Sequence, residues 1–358
     1  MLYAKKARFD AIEPLRFLFA ILICVVHCTF IGAKTILQED VVYSYLQNIM
    51  LHSTLVVDFF FIVSGFLLAY KWKEGRTYIT FIKRRLLRVY PLMIFVMFAF
   101  MVSHFLFKTP FYFSDNIASL LFLPGIGVNN TGGAYFGLGN NHPSWFVAAL
   151  LVGESLFFFI YSLLWNKKRV LHLVLFVLII YSLRAVYLWQ DYLGINLGLW
   201  RSILGMSLGY VVAIFVNRYQ LSTASASLKH HRVVVTTIES LLLLSLLKEI
   251  IFHTGVATNI ILLIINFAIL LMFLCLNKGA VSQFLSMDNL SFFGKYAFSI
   301  YITHALILEI CLKLFYPNVS GAPIFMILVI PVLMSIIFGI MAFYLIEKPL
   351  YESLKKYL

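Results

Sequence analysis

Long uninterrupted runs of apolar residues constrain this chain more than any other feature of its sequence. Ten runs of roughly 20 residues recur along it, and a helix of about that length spans the hydrocarbon core of a bilayer. Soluble domains are about one quarter charged, whereas only 12% of these 358 residues are charged and 62% are hydrophobic. We therefore predict an all-α polytopic membrane protein with about ten transmembrane helices. The predicted spans are 11–31, 51–71, 90–107, 144–165, 170–190, 199–217, 233–252, 258–276, 296–315 and 323–346.

The basic residues predict how this bundle is oriented. With the N-terminus in the cytoplasm, most of the 28 lysines and arginines fall in cytoplasmic segments, and the opposite loops contain only Lys34 and Lys108. Lys and Arg concentrate in cytoplasmic loops, so both termini are predicted to be cytoplasmic. This asymmetry also accounts for the net charge of +13. We expect the lipid bilayer, and no nucleic acid, as a partner, and either anionic lipid or a phosphorylated ligand could use the basic surface.

The chain is expected to form a single transmembrane domain over residues 1–358, without a soluble C-terminal domain. Its four cysteines, Cys24, Cys28, Cys275 and Cys311, fall within or at the end of predicted spans, so a disulfide framework is not expected. Cys24 and Cys28 share a helix turn with His27, but such a group without a partner cluster is a weak zinc signal. We expect no metal.

Two ionisable residues in the first span indicate a functional helix face. Arg16 and His27 are eleven residues apart, which places them only about 20° apart around a helix and about 16 Å apart along it. Ionisable groups in spans usually face the protein interior or a water-filled cavity. The pattern predicts a polar tunnel that runs inward from the cytoplasm to a titratable base. Alternatively, Arg16 reaches the lipid interface and His27 forms an interhelical hydrogen bond.

The second span, "VDFFFIVSGFLLAYKW", adds Asp58 and Ser64 as catalytic candidates beside His27 and Arg16. Asp58 could orient or charge-pair with His27, or it could be an interfacial residue exposed to water. Ser64 could be a nucleophile only with a base beside it. Together with Gly65 it also fits close packing between membrane helices.

Three arginines crowd the cytoplasmic edge of the third span in "FIKRRLLRVYP". Arg85 and Arg88 share a helix face, and guanidinium groups match the geometry of phosphates. We predict that Arg84, Arg85 and Arg88 bind a phosphate-bearing donor, although plain positive-inside topology would also place them there.

Four residues further along are candidates for substrate binding. They are Trp145 and Glu154 in the fourth span, Arg201 at the start of the sixth, and His304 in the ninth. Taken singly, each is more often structural than functional, since interfacial tryptophans anchor helices and buried polar groups join them.

Taken in order, these stretches resemble the acyltransferase-3 family of integral membrane acyltransferases. The resemblance rests on the Arg16–His27 pair and on the motifs "VDFFFIVSGF", "RRLLRVYP", "SWFVAALL", "RSILGMSLG", "YAFSIYITHA" and "EKP". Members that act on lipopolysaccharide often have a Glu-Glu pair soon after the tryptophan. Here Glu154 follows Trp145 by nine residues, which suggests a different acceptor subgroup.

The resemblance implies an enzyme that transfers groups other than aminoacyl groups, as an acetyl-CoA-dependent O-acetyltransferase. The acyl group would pass from cytoplasmic acyl-CoA to a hydroxyl of an extracytoplasmic polysaccharide or lipid-linked glycan. It implies that His27 is essential, that Arg16 is its partner, and that Arg85 and Arg88 contact the donor. It also implies a multi-pass protein of the bacterial inner membrane. A homo-oligomer or an accessory acyl-accepting protein is a further partner that it leaves open.

Two questions stay open at this point. His27 could act as a general base or form a transient acyl-histidine. The alternative function is a transporter in which the Arg16–His27 face, Glu154 and His304 form a proton or solute path, because buried ionisable residues are also typical of transporters.

Overall fold

A computed structural model describes residues 9–28, 55–127, 140–222, 229–252, 257–315 and 324–356. These residues form helices joined by turns, and no sheet. The helices in chain order are α1 (Ile12–Cys28), α2 (Val56–Tyr70), α3 (Tyr78–Leu106), α4 (Phe113–Leu120), α5 (Ser144–Leu164), α6 (Lys168–Leu188), α7 (Leu197–Ser222), α8 (Lys229–Phe252), α9 (Ala257–Leu276), α10 (Ala280–Leu285), α11 (Asp288–Ser291), α12 (Ala297–Phe315), α13 (Ile324–Ala342) and α14 (Lys348–Lys355). Two 3-10 turns (Leu123–Ile126 and Phe292–Tyr296) and a π-helical turn (Phe343–Glu347) complete them.

The predicted membrane spans all coincide with helices. The described portions of the ten spans lie in α1, α2, α3, α5, α6, α7, α8, α9, α12 and α13. Seven helical segments in the described part of the chain are long and apolar enough to cross a membrane, and α2 is a shorter apolar helix. The prediction of an all-α polytopic membrane protein is confirmed. Following the predicted orientation, we call the end of the bundle that carries residues 71–88 the cytoplasmic end.

Helices α2 and α7 approach each other more closely than side chains would allow, because glycines face the partner backbone. A β-carbon at Gly65 would lie 2.5 Å from the Cα of Met206, and one at Gly209 would lie 2.3 Å from the carbonyl oxygen of Ile62. Small residues permit such close packing between membrane helices. The contact fixes α2, which carries two of the candidate site residues, against the buried face of α7.

Replacing Gly209 with valine is expected to destabilise the protein by about 1–3 kcal/mol, since overpacking forces backbones apart. Thermal unfolding in detergent would show a lower Tm for the variant. Val211→Leu is the matched control, because Val211 lies two residues along α7 and is exposed. An unchanged Tm for Gly209→Val would contradict the close packing of α2 and α7.

Helix α3 is longer than the sequence predicted. The span was expected over 90–107, whereas the helix begins at Tyr78 and continues through Pro91 to Leu106. Thr77 caps it, accepting a hydrogen bond from the backbone N–H of Thr80 at 3.4 Å. The arginines at 84, 85 and 88 therefore project from the cytoplasmic extension of a membrane helix. Their positions are set by that helix and not by a loop.

Glu239, a charged residue within the predicted span 233–252, has a structural role. It is buried in α8, and its Oε2 accepts backbone hydrogen bonds from Val281 (3.1 Å) and Ser282 (3.2 Å) at the start of α10. A carboxylate satisfies the unpaired N–H groups of a helix N-terminus well. The charge in this span is thus explained by packing between helices.

Candidate active site

Five helices surround a cavity of about 150 Å³, which we call the inner cavity. Helices α1, α2, α3, α5 and α12 each contribute lining residues. The wall is mainly apolar, with a few polar side chains that face inward, a composition typical of ligand pockets. The polar residues that line it are Arg16, Ser64, Arg85, Arg88, Glu154 and Tyr301.

His27 lies beyond the inner cavity and contacts a second histidine. Its Nδ1 is 2.6 Å from Nε2 of His304, and the two rings are nearly parallel, with an interplanar angle of 10°. His304 is buried, and its Nδ1 lies 2.5 Å from the backbone carbonyl oxygen of Tyr301. The structure thus brings together two intramembrane histidines that are 277 residues apart.

Tyr301 contacts both the inner cavity and the histidine pair. It lines the cavity, and its ring centroid is 5.7 Å from that of His304. Its hydroxyl donates a 2.6 Å hydrogen bond to the carbonyl oxygen of Pro143, and its ring packs edge-on against Phe146. Phe146 also lines the inner cavity, so this pair of rings forms part of its wall one helical turn from His304.

Arg16 faces the inner cavity on the same helix as His27. Its Nη1 pairs with Glu13 one turn earlier, at 3.0 and 3.1 Å, and it interacts electrostatically with Arg88 and Glu347. Glu347 is buried in the π-helical turn and accepts a hydrogen bond from Ser299. Glu13 was not among the residues predicted from the sequence, although its i,i+3 spacing from Arg16 is a usual sign of a helical ion pair.

Glu154 joins three helices at the cavity wall. It is 1% exposed; its Oε1 accepts a hydrogen bond from the Ser64 hydroxyl, and its Oε2 forms a 2.9 Å ion pair with Nε of Arg85. Ser64 thus donates a hydrogen bond to a carboxylate of α5. The contact ties α2, α3 and α5 together and holds one side of the Arg85 guanidinium at the cavity wall.

A larger basic cleft adjoins the inner cavity at the cytoplasmic end. It has a volume of about 660 Å³ and shares Leu67, Arg85 and Arg88 with the inner cavity as lining residues. Its cationic lining residues are Lys71, Arg76, Arg84, Arg85 and Arg88. The predicted donor-binding arginines are therefore brought together, and Lys71 and Arg76 extend the set. In the sequence, Lys71 and Arg76 are among the basic residues whose distribution we attributed to the orientation of the bundle.

Asp58 has a different partner from the one that we considered for it. Its carboxylate forms a bidentate pair with Arg201, with Nε to Oδ1 at 3.0 Å and Nη2 to Oδ2 at 2.9 Å, and it does not pair with His27. The two residues are 1% and 4% exposed, so the alternative of a water-exposed Asp58 is also wrong. The Arg201 guanidinium lies 5.3 Å from the rings of Trp145 and Trp189. Asp58, Arg201 and Trp145 thus form a separate cluster, and none of them lines the inner cavity.

The described residues contain no group of three or more histidines, cysteines, aspartates or glutamates that could hold a metal ion. Cys24 and Cys28, which were weighed as zinc ligands with His27, are buried free thiols.

Comparison with known proteins gives one match. The family model for the acyltransferase-3 family, described as an acyltransferase domain, matches residues 9–345, which is nearly the whole chain. No curated protein and no solved structure matches the chain significantly. The matched region contains all five helices that line the inner cavity, and every lining residue of the basic cleft except Tyr351. The chain belongs to the acyltransferase-3 family of membrane acyltransferases.

Proposed function

We propose that this protein transfers an acyl group, acetyl in the first instance, from cytoplasmic acyl-CoA to a sugar hydroxyl on an extracytoplasmic polysaccharide or lipid-linked glycan. The proposal places the protein in a bacterial inner membrane. The observation that carries it is that the basic cleft and the inner cavity share Arg85 and Arg88 as lining residues. Tyr301, which also lines the inner cavity, contacts His304 of the His27–His304 pair.

The basic cleft suits the phosphorylated end of coenzyme A. Five cationic side chains line it, and guanidinium groups bind phosphate through paired hydrogen bonds. Arg85 and Arg88 also line the inner cavity, which is narrow and mainly apolar and therefore suits the pantetheine arm. In this arrangement the phosphates stay at the cytoplasmic end while the thioester points towards His27.

The distance between Arg16 and His27 favours a role for Arg16 at the donor over one at the reacting carbonyl. Arg16 and His27 are about 16 Å apart along α1, far beyond hydrogen-bond length. Arg16 faces the inner cavity near Arg88, where a cation acts on the donor's phosphates or on the amide groups of its arm. The resemblance implied that Arg16 is the partner of His27, and this separation argues against a direct contact between the two side chains.

His27 is the proposed general base. It accepts the proton of the acceptor hydroxyl while that oxygen forms a bond to the acyl carbon and the carbon–sulfur bond breaks. The proton then passes from the imidazolium to the departing thiolate, so the products are the ester and free CoA. If an acyl-histidine forms first, the imidazole of His27 is instead the nucleophile that attacks the acyl carbon.

Donor binding is tested by the double variant Arg85→Ala/Arg88→Ala in the purified full-length protein. We expect the KM for acetyl-CoA to rise at least about tenfold, since each lost charge-assisted hydrogen bond is worth about 1.5–3 kcal/mol. The rate of CoA release should recover at high donor concentration. The matched control is Arg232→Ala, because Arg232 is an exposed arginine of α8 outside both cavities.

Two outcomes would count against the proposal. An unchanged KM in the double variant would show that Arg85 and Arg88 do not bind the donor. If the wild-type protein neither binds acetyl-CoA nor releases CoA with candidate glycans present, the acyl-CoA donor is wrong. Proton or solute transport in proteoliposomes would then be the next measurement.

A further inference from the structure

The contact between the two histidines determines which ring nitrogen of His27 can react. The backbone carbonyl of Tyr301 can only accept a hydrogen bond, so Nδ1 of His304 carries the hydrogen in their 2.5 Å contact. A neutral imidazole has one N–H and one lone pair, so Nε2 of His304 is the acceptor in its 2.6 Å contact with His27. Nδ1 of His27 is therefore protonated.

We propose that His304 is the positioning residue for His27, and that it selects the His27 tautomer whose Nε2 has the free lone pair. The chain of contacts runs from the Tyr301 carbonyl through His304 to His27, and each link has one possible donor. Nε2 of His27 then accepts the hydroxyl proton, or attacks the acyl carbon if an acyl-histidine forms. This inference rests on the proposed function and adds to it a role for His304, which the sequence had suggested as a substrate contact.

The pair also stabilises His27 after it takes up a proton. When Nε2 accepts the hydroxyl proton, His27 becomes an imidazolium whose Nδ1–H still points at the lone pair of His304. The hydrogen bond becomes charge-assisted and so roughly twice as strong as the neutral one. Two adjacent buried imidazolium groups would repel each other, so the pair holds one extra proton at a time and releases it to the thiolate.

Substitutions at position 304 can distinguish a side chain that only fills space from one that forms these two hydrogen bonds. Glutamine has one donor and one acceptor on its side-chain amide, so His304→Gln can still donate to the Tyr301 carbonyl and accept from His27. Methionine packs well in apolar interiors but provides only a weak acceptor and no donor. These two variants therefore separate hydrogen bonding from packing.

The first readout is turnover of acetyl-CoA by the purified full-length protein. His304→Met is expected to lower kcat at least about 100-fold with the KM for acetyl-CoA within twofold, as loss of a correctly placed base removes about 10²–10⁴-fold of rate. His304→Gln is expected to stay within about tenfold of wild type. Tm values for both variants show whether they are folded. Equal kcat losses for the two folded variants would overturn the proposal.

The second readout does not depend on turnover. Diethyl pyrocarbonate modifies unprotonated imidazole nitrogens, and mass spectrometry locates the modified histidines. The rate at His27 is expected to fall at least fivefold in His304→Met and to stay within twofold in His304→Gln. His172 on α6, which contacts the Tyr210 hydroxyl at 3.1 Å, is the internal reference. An unchanged rate at His27 in His304→Met would overturn this inference, whereas a lack of CoA release by wild type would overturn the proposed function.

Discussion

Replacing His27 with alanine is expected to lower acyl transfer at least about 1,000-fold while the affinity for acetyl-CoA stays within about twofold. General-base catalysis by a placed histidine contributes about 10²–10⁴-fold, and alanine provides no base at this position. The affinity should hold because the basic cleft and the inner cavity do not include His27 among their lining residues. CoA release gives the rate, and titration calorimetry with acetyl-CoA gives the affinity.

The control for this prediction is His172→Ala. His172 is an exposed histidine on α6 that lines neither cavity, so its loss should leave rate and affinity unchanged. A folded His27→Ala variant that still turns over acetyl-CoA and acceptor at a near wild-type rate would remove His27 from the chemistry. A variant that instead loses donor affinity would place His27 in the donor site.

The spans could be predicted because a bilayer allows few solutions. A backbone in hydrocarbon must satisfy its own hydrogen bonds, so each apolar run of sufficient length becomes a helix. The cytoplasmic extension of α3 could not be predicted in this way. Residues 78–89 contain four basic side chains, Lys83, Arg84, Arg85 and Arg88, and such a stretch carries no membrane signal, although it continues the membrane helix.

The candidate site, like the fold, could be predicted from the sequence only in part. The common face of Arg16 and His27 follows from helical periodicity within α1 alone. The partners of these two residues on other helices do not follow from periodicity. Residues of several other helices lie at a similar depth in the membrane, and the sequence does not show which of them is adjacent. Asp58 was considered as a partner of His27, but α2 packs tightly on α7 and brings it to Arg201 instead. Likewise, the contact of His27 with His304 depends on α1 and α12 being adjacent, which neither helix encodes by itself.

Breaking the Asp58–Arg201 pair is expected to have the largest effect on stability. Both groups are almost fully buried and bonded to each other twice. Removing one partner of such a pair costs about 3–5 kcal/mol, because the other charge stays buried and uncompensated. Asp58→Leu should therefore lower the Tm strongly and reduce the yield of folded protein. A Tm for Asp58→Leu equal to that of wild type would show that the pair does not hold α2 to α7.

The double variant Asp58→Leu/Arg201→Met separates a structural role from a catalytic one. Replacing both charges with apolar residues of similar volume is often neutral or stabilising, so the Tm should recover relative to Asp58→Leu. The interaction energy from the double-mutant cycle should then be large, as expected for residues in contact. If CoA release in the presence of acceptor recovers with the Tm, the pair supports the fold alone. If stability recovers and acyl transfer does not, one of the two charges, with Trp145 beside Arg201, belongs to the acceptor site, as the sequence had suggested.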